Sequence, residues 1–114
     1  MFKTTLSVVS ASILLAFASL APAHAAVDED AAKALFKKND CTKCHAVDKT
    51  KKGPSLKKIA AKYKGKADGQ AAAIKNMTTG VKVKLDDGTE QDHKIIDTKD
   101  EKELKNLADY ILAQ

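Results

Sequence analysis

The chain has 114 residues, a formal net charge of +5 at pH 7 and only 4% aromatic residues. All of its basic side chains are lysines, and it contains neither arginine nor tryptophan. Surfaces that bind nucleic acid usually combine arginine with interleaved aromatic residues, so this composition argues against nucleic acid as a partner.

The first 25 residues are typical of a secretory signal peptide. Lys3 supplies a positive charge, residues 6–20 form an apolar run, and residues 23–25 (Ala-His-Ala) fit the small-x-small cleavage pattern. The apolar run is shorter than the roughly 20 residues that span a bilayer. We therefore expect cleavage after residue 25, export to the periplasm, and no stable membrane insertion of residues 26–114. An uncleaved N-terminal anchor is the alternative.

Residues 26–114 are enough for one small domain. A domain of this size buries only about 60–65% of its unfolded surface, and hydrophobic burial alone stabilises it marginally. A disulfide, a metal or a large cofactor is therefore expected to help. The only two cysteines lie three positions apart, and a disulfide between them would close too small a loop to stabilise the fold much. The composition therefore favours a cofactor.

Residues 27–40 predict a first helix. Asp28 can accept hydrogen bonds from the exposed amides of the first turn, and the acidic residues after it favour the positive end of the helix dipole. The predicted buried stripe contains small and large apolar residues, namely Ala31, Ala32, Leu35 and Phe36.

Two more helices are predicted before residue 80. Pro54 would be the first residue of one, which ends at Gly65. Its apolar face consists of Leu56, Ile59, Ala60 and Tyr63. The next helix runs from about residue 68 to residue 79 and ends at Gly80. Met77 in this helix is expected to fill the core.

The pattern changes after residue 80. Alternating apolar and charged residues, with a turn at Asp87 and Gly88, predict a short hairpin or an extended loop over residues 81–93. A last helix follows, with Thr98 and Glu101 as a capping box. Its predicted buried stripe is Leu104, Leu107, Ala108, Ile111 and Leu112. The expected fold class is all-α, with about four helices and one irregular insert.

Residues 41–45, Cys-Thr-Lys-Cys-His, have the spacing by which haem c is attached to protein chains. Residues three apart on a helical turn share a face, so Cys41 and Cys44 can each reach one vinyl group on one edge of the porphyrin. His45, the next residue, can then bind the haem iron as its proximal ligand. The motif therefore predicts one covalently bound haem c.

Three other uses of this motif are weaker. A thioredoxin-like redox pair would follow a strand in a βαβ pattern, whereas a predicted helix precedes Cys41. A zinc site needs four ligands, and the only further histidine after residue 25, His93, lies far along the chain. The third use is a structural disulfide without further chemistry.

With these elements the chain resembles the small class I cytochromes c of bacteria, near the cytochrome c-551 type, over essentially all of residues 27–114. The stretches that carry the resemblance are LFKKNDCTKCHAVD, KKGPSLKKIAAKYKGK, AAIKNMTTG and LADYILAQ. The resemblance implies a class I cytochrome c fold around one haem, and a one-electron carrier rather than an enzyme.

The resemblance also implies roles for three residues outside the motif. The carbonyl of Pro54 would accept a hydrogen bond from Nδ1 of His45, which fixes the tautomer and the ring angle of the ligand. Tyr63 would either donate to a haem propionate or simply pack. Tyr110 would pack in the core near the haem.

The chain departs from the family in the loop before the last helix. That loop usually supplies a methionine flanked by prolines as the second axial ligand, but here it contains neither residue type. Counting back from the C-terminus puts His93 at the position of the methionine. We therefore expect His93 as the second ligand, with Met77 or an open position as alternatives. An open position would make the protein a binder or sensor of a small gas ligand.

Lysines crowd the motif and the helix after it. A solvated charged surface is the simpler interpretation. The functional one is a positive ring around the exposed haem edge, which would steer the protein onto redox partners with acidic docking surfaces. These lysines are Lys43, Lys49, Lys51, Lys52, Lys57, Lys58, Lys62, Lys64 and Lys66.

Overall fold

The computed structural model describes residues 26–114, so the predicted signal peptide, residues 1–25, lies outside the described residues. The helices are α1 (Glu29–Lys38), α2 (Leu56–Tyr63), α3 (Gly69–Thr78) and α4 (Glu101–Leu112). A 3-10 turn (Cys41–Lys43) follows α1. Two antiparallel strands, β1 (Lys82–Lys84) and β2 (Glu90–Asp92), precede α4. The predicted all-α class with a hairpin insert is confirmed.

Helix α4 is the centre of the fold, because α1, α2 and α3 all pack against it. Four of the five residues of its predicted apolar stripe are buried, and Leu107 and Ala108 are fully shielded from solvent. Complete burial of a leucine side chain stabilises a fold by about 1.5–3 kcal/mol relative to exposure. Leu112, which was predicted in the same stripe, is only half-buried.

Helix α1 begins after its predicted cap. The Asp28 carboxylate accepts a hydrogen bond from the amide of Ala31 at 3.0 Å. Ala32 and Phe36 are buried in the core and Leu35 is partly buried against it. Ala31, which was predicted in the buried stripe, is exposed, because the face of α1 that packs on the core is narrower than the predicted one.

Helix α2 does not begin at Pro54. Ser55 is its N-cap, and the Ser55 hydroxyl accepts a hydrogen bond from the amide of Lys58 at 3.1 Å. Serine caps a helix well because its side-chain oxygen satisfies an amide that has no partner inside the helix. Pro54 therefore precedes the cap, and its carbonyl is free to bond elsewhere.

The predicted capping box of α4 is also wrong. Asp100 is the N-cap, and its carboxylate accepts from the amides of Lys102 and Glu103. Aspartate caps helices better than threonine does, so it displaces the earlier candidate. Thr98 instead donates its hydroxyl to the carboxylate of Glu103 rather than pairing with Glu101.

The hairpin of β1 and β2 lies beside the helices. Val83 lies opposite Gln91 and is half-buried, while the lysines on either side of it are exposed. Gly88 takes the left-handed conformation that the turn requires, with φ of 84°. The amide of Asp86 donates to the carbonyl of Lys52 at 3.2 Å, which ties the hairpin tip to the loop before α2. Across residues 26–114, no helix has the length and apolar composition needed to cross a membrane.

Candidate functional site

A cavity of about 460 Å³ lies between the helices and the hairpin. Its size falls in the range of small-molecule and cofactor sites, about 300–1,000 Å³. Cys41, Cys44 and His45 line it together with His93. Apolar side chains supply most of the remaining wall, including Phe36, Leu56, Ile59, Met77, Ile96 and Leu107.

A sharp turn brings the motif to the cavity wall. Helix α1 ends two residues earlier than predicted, because Asp40 adopts a left-handed conformation with φ of 57°. Aspartate is one of the few residues besides glycine that tolerate this conformation. The carbonyl of Cys41 then accepts hydrogen bonds from the amides of Cys44 and His45, at 3.2 and 2.9 Å. The three side chains of the motif consequently line the same cavity.

The two cysteines are free thiols and are partly buried. Burial raises the pKa of Cys41, so this side chain is a neutral thiol at neutral pH. Within residues 26–114, no group of three or more His, Cys, Asp or Glu side chains is placed to hold a metal ion. A helix, α1, precedes Cys41, and the two strands of the described residues pair antiparallel, an arrangement unlike the βαβ unit of the thioredoxin-like alternative.

His45 is held by the loop that precedes α2. Its Nδ1 lies 2.7 Å from the carbonyl oxygen of Pro54, the contact that the family resemblance implies. A carbonyl can only accept, so Nδ1 carries the hydrogen and Nε2 keeps a free lone pair. Burial lowers the pKa of His45 and nearby His93 adds to the lowering, while the bond to Pro54 acts in the opposite direction. The ring is therefore neutral, as a metal ligand must be.

His93 lines the same cavity as the motif and lies close to His45. The ring centroids of His45 and His93 are 6.2 Å apart, with an angle of 42° between the ring planes. Nδ1 of His93 lies 2.9 Å from the carbonyl oxygen of Lys94, so this ring also has Nε2 free. The amide of His93 donates to the carbonyl of Val81 at 2.8 Å, which anchors the residue to the start of the hairpin.

The distance between the two rings fits one iron ion between them. Two imidazoles that bind one first-row metal have centroids about 6 Å apart, since each metal–nitrogen bond is about 2 Å and each ring centre lies roughly 1 Å behind its nitrogen. The measured 6.2 Å agrees with this value. Apolar walls and two thiols beside His45 complete the surroundings that a covalently attached haem requires.

Tyr63 and Met77 also line the cavity. The Tyr63 hydroxyl accepts a hydrogen bond from the side-chain amide of Asn76 at 3.1 Å, which leaves the phenolic hydrogen available to another acceptor. Met77 is only 6% exposed and packs in the core, as predicted. Tyr110 is likewise buried in the core, which confirms its predicted packing role.

Sequence patterns did not single out Asn39, although it borders the site. Its side chain is 2% exposed, and its Oδ1 accepts a hydrogen bond from the amide of Asp97 at 2.7 Å. The two residues lie 58 positions apart, so no local pattern indicates the contact.

Comparisons with known proteins agree with this site. The family model for cytochrome c matches residues 29–114. The chain is similar to cytochrome c-551 of Stutzerimonas stutzeri, with 48% identity over 52 residues that cover 43% of this chain and 50% of that protein. It is also similar to cytochrome c-552 of Nitrosomonas europaea, with 44% identity over 69 residues, or 58% of this chain and 63% of that protein. The matched segments thus span half of one curated relative and less than two-thirds of the other.

A solved structure extends the similarity to the whole domain. The class 1 cytochrome MtoD from Sideroxydans lithotrophicus ES-1 superposes with a TM-score of 0.74 and 54% identity. The match covers 77% of this chain and 97% of that one. The fold, the Cys-x-x-Cys-His turn and the family match lead to one conclusion. This chain belongs to the cytochrome c family, as a class I monohaem c-type cytochrome whose cofactor is a covalently bound haem c.

Proposed function

We propose that this protein carries single electrons between redox proteins, with histidine on both sides of its haem iron. The observation that carries the proposal is the position of His45 and His93, which both line one mainly apolar cavity with ring centroids 6.2 Å apart. Bound haem supplies the one-electron chemistry of the ferrous and ferric states. The side chains of this protein hold that group and set its potential.

Cys41 and Cys44 are the residues that we assign to covalent attachment. Each sulfur would form one thioether bond with a vinyl group, and the thiol hydrogen would pass to the neighbouring vinyl carbon. The 3-10 turn supports this assignment because it places both sulfurs on the wall that also carries His45. No disulfide competes for the two thiols in the described residues.

His45 and His93 are the proposed axial ligands. In each ring the Nδ1 hydrogen is donated to a main-chain carbonyl, of Pro54 and of Lys94 respectively, which leaves Nε2 for the iron. Such a hydrogen bond orients the ring and raises its basicity. A second histidine should give a lower potential than the methionine of other family members, because methionine raises it.

Two ligands also favour a carrier over a gas-binding protein. An imidazole on each side leaves no open position for carbon monoxide, nitric oxide or oxygen. The only histidines in residues 26–114 are both assigned to the iron, so we infer that the protein is not an enzyme that needs a histidine for acid–base chemistry.

The uneven distribution of lysines and acidic residues along the chain supports redox partners with acidic surfaces. Residues 26–66, which contain the motif and α2, carry twelve lysines against five acidic residues. Residues 67–114 carry seven lysines against ten acidic residues. A positive half beside the cavity would orient an approaching acidic surface and raise the encounter rate. We place this exchange in the periplasm, after removal of residues 1–25, on the strength of the predicted signal peptide.

Absorption spectroscopy tests the ligation. We expect low-spin spectra that carbon monoxide does not change, and no weak far-red band of the kind that methionine ligation produces in ferric haem. His93→Ala should yield high-spin iron that binds carbon monoxide, whereas the matched core change Met77→Leu should leave the spectrum as it was. The opposite result, an altered spectrum in Met77→Leu alone, would show that Met77 is the ligand.

A further inference from the structure

Asn39 connects the turn that carries the cysteines with the segment that carries His93. It caps α1 two residues before Cys41, and its side chain is 2% exposed. Nδ2 donates to the carbonyl of Leu35 at 3.0 Å, and Oδ1 accepts from the amide of Asp97 at 2.7 Å. These two partners fix the orientation of the amide, since a carbonyl needs the nitrogen and an N–H group needs the oxygen.

The two hydrogen bonds of the Asn39 amide differ in importance. The carbonyl of Leu35 also accepts from the main-chain amide of Asn39 at 3.1 Å, so it retains a partner when the side chain is removed. The amide of Asp97 follows buried Ile96 and bonds to the Asn39 side chain. A donor that loses its partner and cannot reach water costs more than an average hydrogen bond contributes.

Three main-chain amides of residues 93–97 bond to the rest of the protein, and the exposed Asp97 carboxylate also lies 3.8 Å from Nζ of Lys38. The amide of His93 bonds to Val81, the amide of Ile96 bonds to the carbonyl of Met77 at 2.8 Å, and the amide of Asp97 bonds to Asn39. The first two attach the segment to the hairpin and to the end of α3. The third attaches it to the end of α1, from which the haem motif also starts.

We propose that Asn39 is a positioning residue, which holds residues 93–97 at a set distance from the haem motif and thereby keeps His93 on the iron. The proposal rests on His93 being the second axial ligand. Without the Asn39 amide, the Asp97 N–H would turn toward water, and the end of the segment would move with it. His93 lies four residues earlier and would leave the iron more often.

Asn106 provides a matched control. Its side chain makes the same kind of pair, since its Oδ1 accepts from the amide of Asp28 and its Nδ2 donates to the carbonyl of Asp28, both at 2.9 Å. This pair joins α4 to the start of α1 and includes no residue of the cavity wall. Loss of the Asn106 side chain should therefore loosen the fold without a specific effect on His93.

The test compares Asn39→Leu, Asn106→Leu and His93→Ala in the haem-containing protein. Carbon monoxide can bind the ferrous iron only after one axial ligand leaves, so its binding rate reports how often His93 dissociates. We expect Asn39→Leu to raise this rate by about tenfold or more, because the Asp97 amide then finds a partner only when the segment moves toward water. Asn106→Leu should stay within about twofold of the unchanged protein, and urea unfolding measures the stability that each variant loses.

A second measurement needs no variant. Hydrogen exchange in the unchanged protein should protect the amide of Asp97 as well as that of Ile96, since both are hydrogen-bonded. Fast exchange at Asp97 beside slow exchange at Ile96 would overturn the proposal.

Equal carbon monoxide binding rates in Asn39→Leu and Asn106→Leu would also overturn it. If the His93→Ala protein does not bind carbon monoxide, His93 is not the ligand, and the proposed role of Asn39 is rejected with it. If His93→Ala binds carbon monoxide but Asn39→Leu binds it no faster than the unchanged protein, only the role of Asn39 is rejected.

Discussion

A methyl group on the α-carbon of Gly53 would lie 2.8 Å from Cε1 of His45. The ring has little room to retreat, because its Nδ1 is bonded to Pro54. We expect Gly53→Ala to tilt the ring, to weaken its bond to Pro54 and to destabilise the protein by about 1–3 kcal/mol, as overpacking does. The NMR shifts of the haem methyl groups and the reduction potential should both change.

Gly88→Ala is the control for Gly53→Ala. Nothing lies within 4 Å of the added methyl group, but Gly88 has a positive φ that alanine adopts at a cost of roughly 1–2 kcal/mol. This variant should lose stability and keep the same haem spectrum. If Gly53→Ala also keeps its haem shifts and its potential, the close contact does not position His45.

Covalent attachment by Cys41 and Cys44 is tested by extraction. After denaturation in acid and mixing with organic solvent, the colour should stay on the polypeptide. Either single alanine variant should still retain it through the remaining thioether, whereas the double variant should release haem into the solvent. Release from the unchanged protein would refute attachment by these residues.

The lysine surface should make electron transfer sensitive to salt. The screening length falls from about 10 Å at 0.1 M to about 3 Å at 1 M ionic strength, so rates with an acidic partner should fall as salt rises. Changing Lys52 and Lys57 to glutamate should slow association and flatten this dependence. We choose this pair because Lys51 also donates to the carbonyl of Thr42, and its loss would disturb the motif turn.

Lys99 and Lys102 supply the comparison for the lysine prediction. Both are exposed, and their change to glutamate alters the net charge by the same amount. Lys52 and Lys57 adjoin Gly53 and Leu56 of the cavity wall, whereas the chain neighbours of Lys99 and Lys102 are not part of that wall. Stopped-flow rates over a range of salt should separate the two pairs. Equal slowing by both pairs would indicate that net charge matters and that the surface beside the cavity has no special role.

Tyr63 can be tested through the pH dependence of the potential. If its hydroxyl donates to a haem propionate, it favours the ionised carboxylate and lowers the pKa of that group. The potential falls as the propionate ionises, because the negative charge stabilises ferric iron. Tyr63→Phe should therefore move this fall to higher pH. Tyr110→Phe removes the same hydroxyl group from a tyrosine in the core and should not change the pH at which the potential falls. If both variants shift this pH equally, Tyr63 only packs.

Local features of the sequence predicted the parts of the site that depend on neighbouring residues. The five consecutive residues 41–45 predict the cofactor. The spacing of the apolar residues predicts the helices, because each helix buries one apolar face in the core around α4. Exact helix starts were less predictable, since Asp100 and Thr98 are both suitable caps and the tertiary arrangement selects one. Pro54 likewise suits a first helical position, but Ser55 provides the better cap.

Contacts between distant residues could not be predicted in the same way. The location of His93 before the last helix was predicted from its distance to the C-terminus. Its closeness to His45 comes from tertiary contacts, such as the bond of its amide to Val81 at the start of the hairpin. An asparagine before a cysteine motif usually indicates a turn, and nothing nearby in sequence shows that its side chain is buried. Its partner appears only when the chain has folded.

Both proposed iron ligands are supported by main-chain carbonyls, of Pro54 for His45 and of Lys94 for His93. A main-chain carbonyl cannot rotate freely. Each ring should therefore keep its orientation when the haem iron gains or loses one electron. Dipoles that are already in place need little rearrangement in such a step. The protein should therefore have a low reorganisation energy, which favours fast electron exchange between its own ferrous and ferric forms.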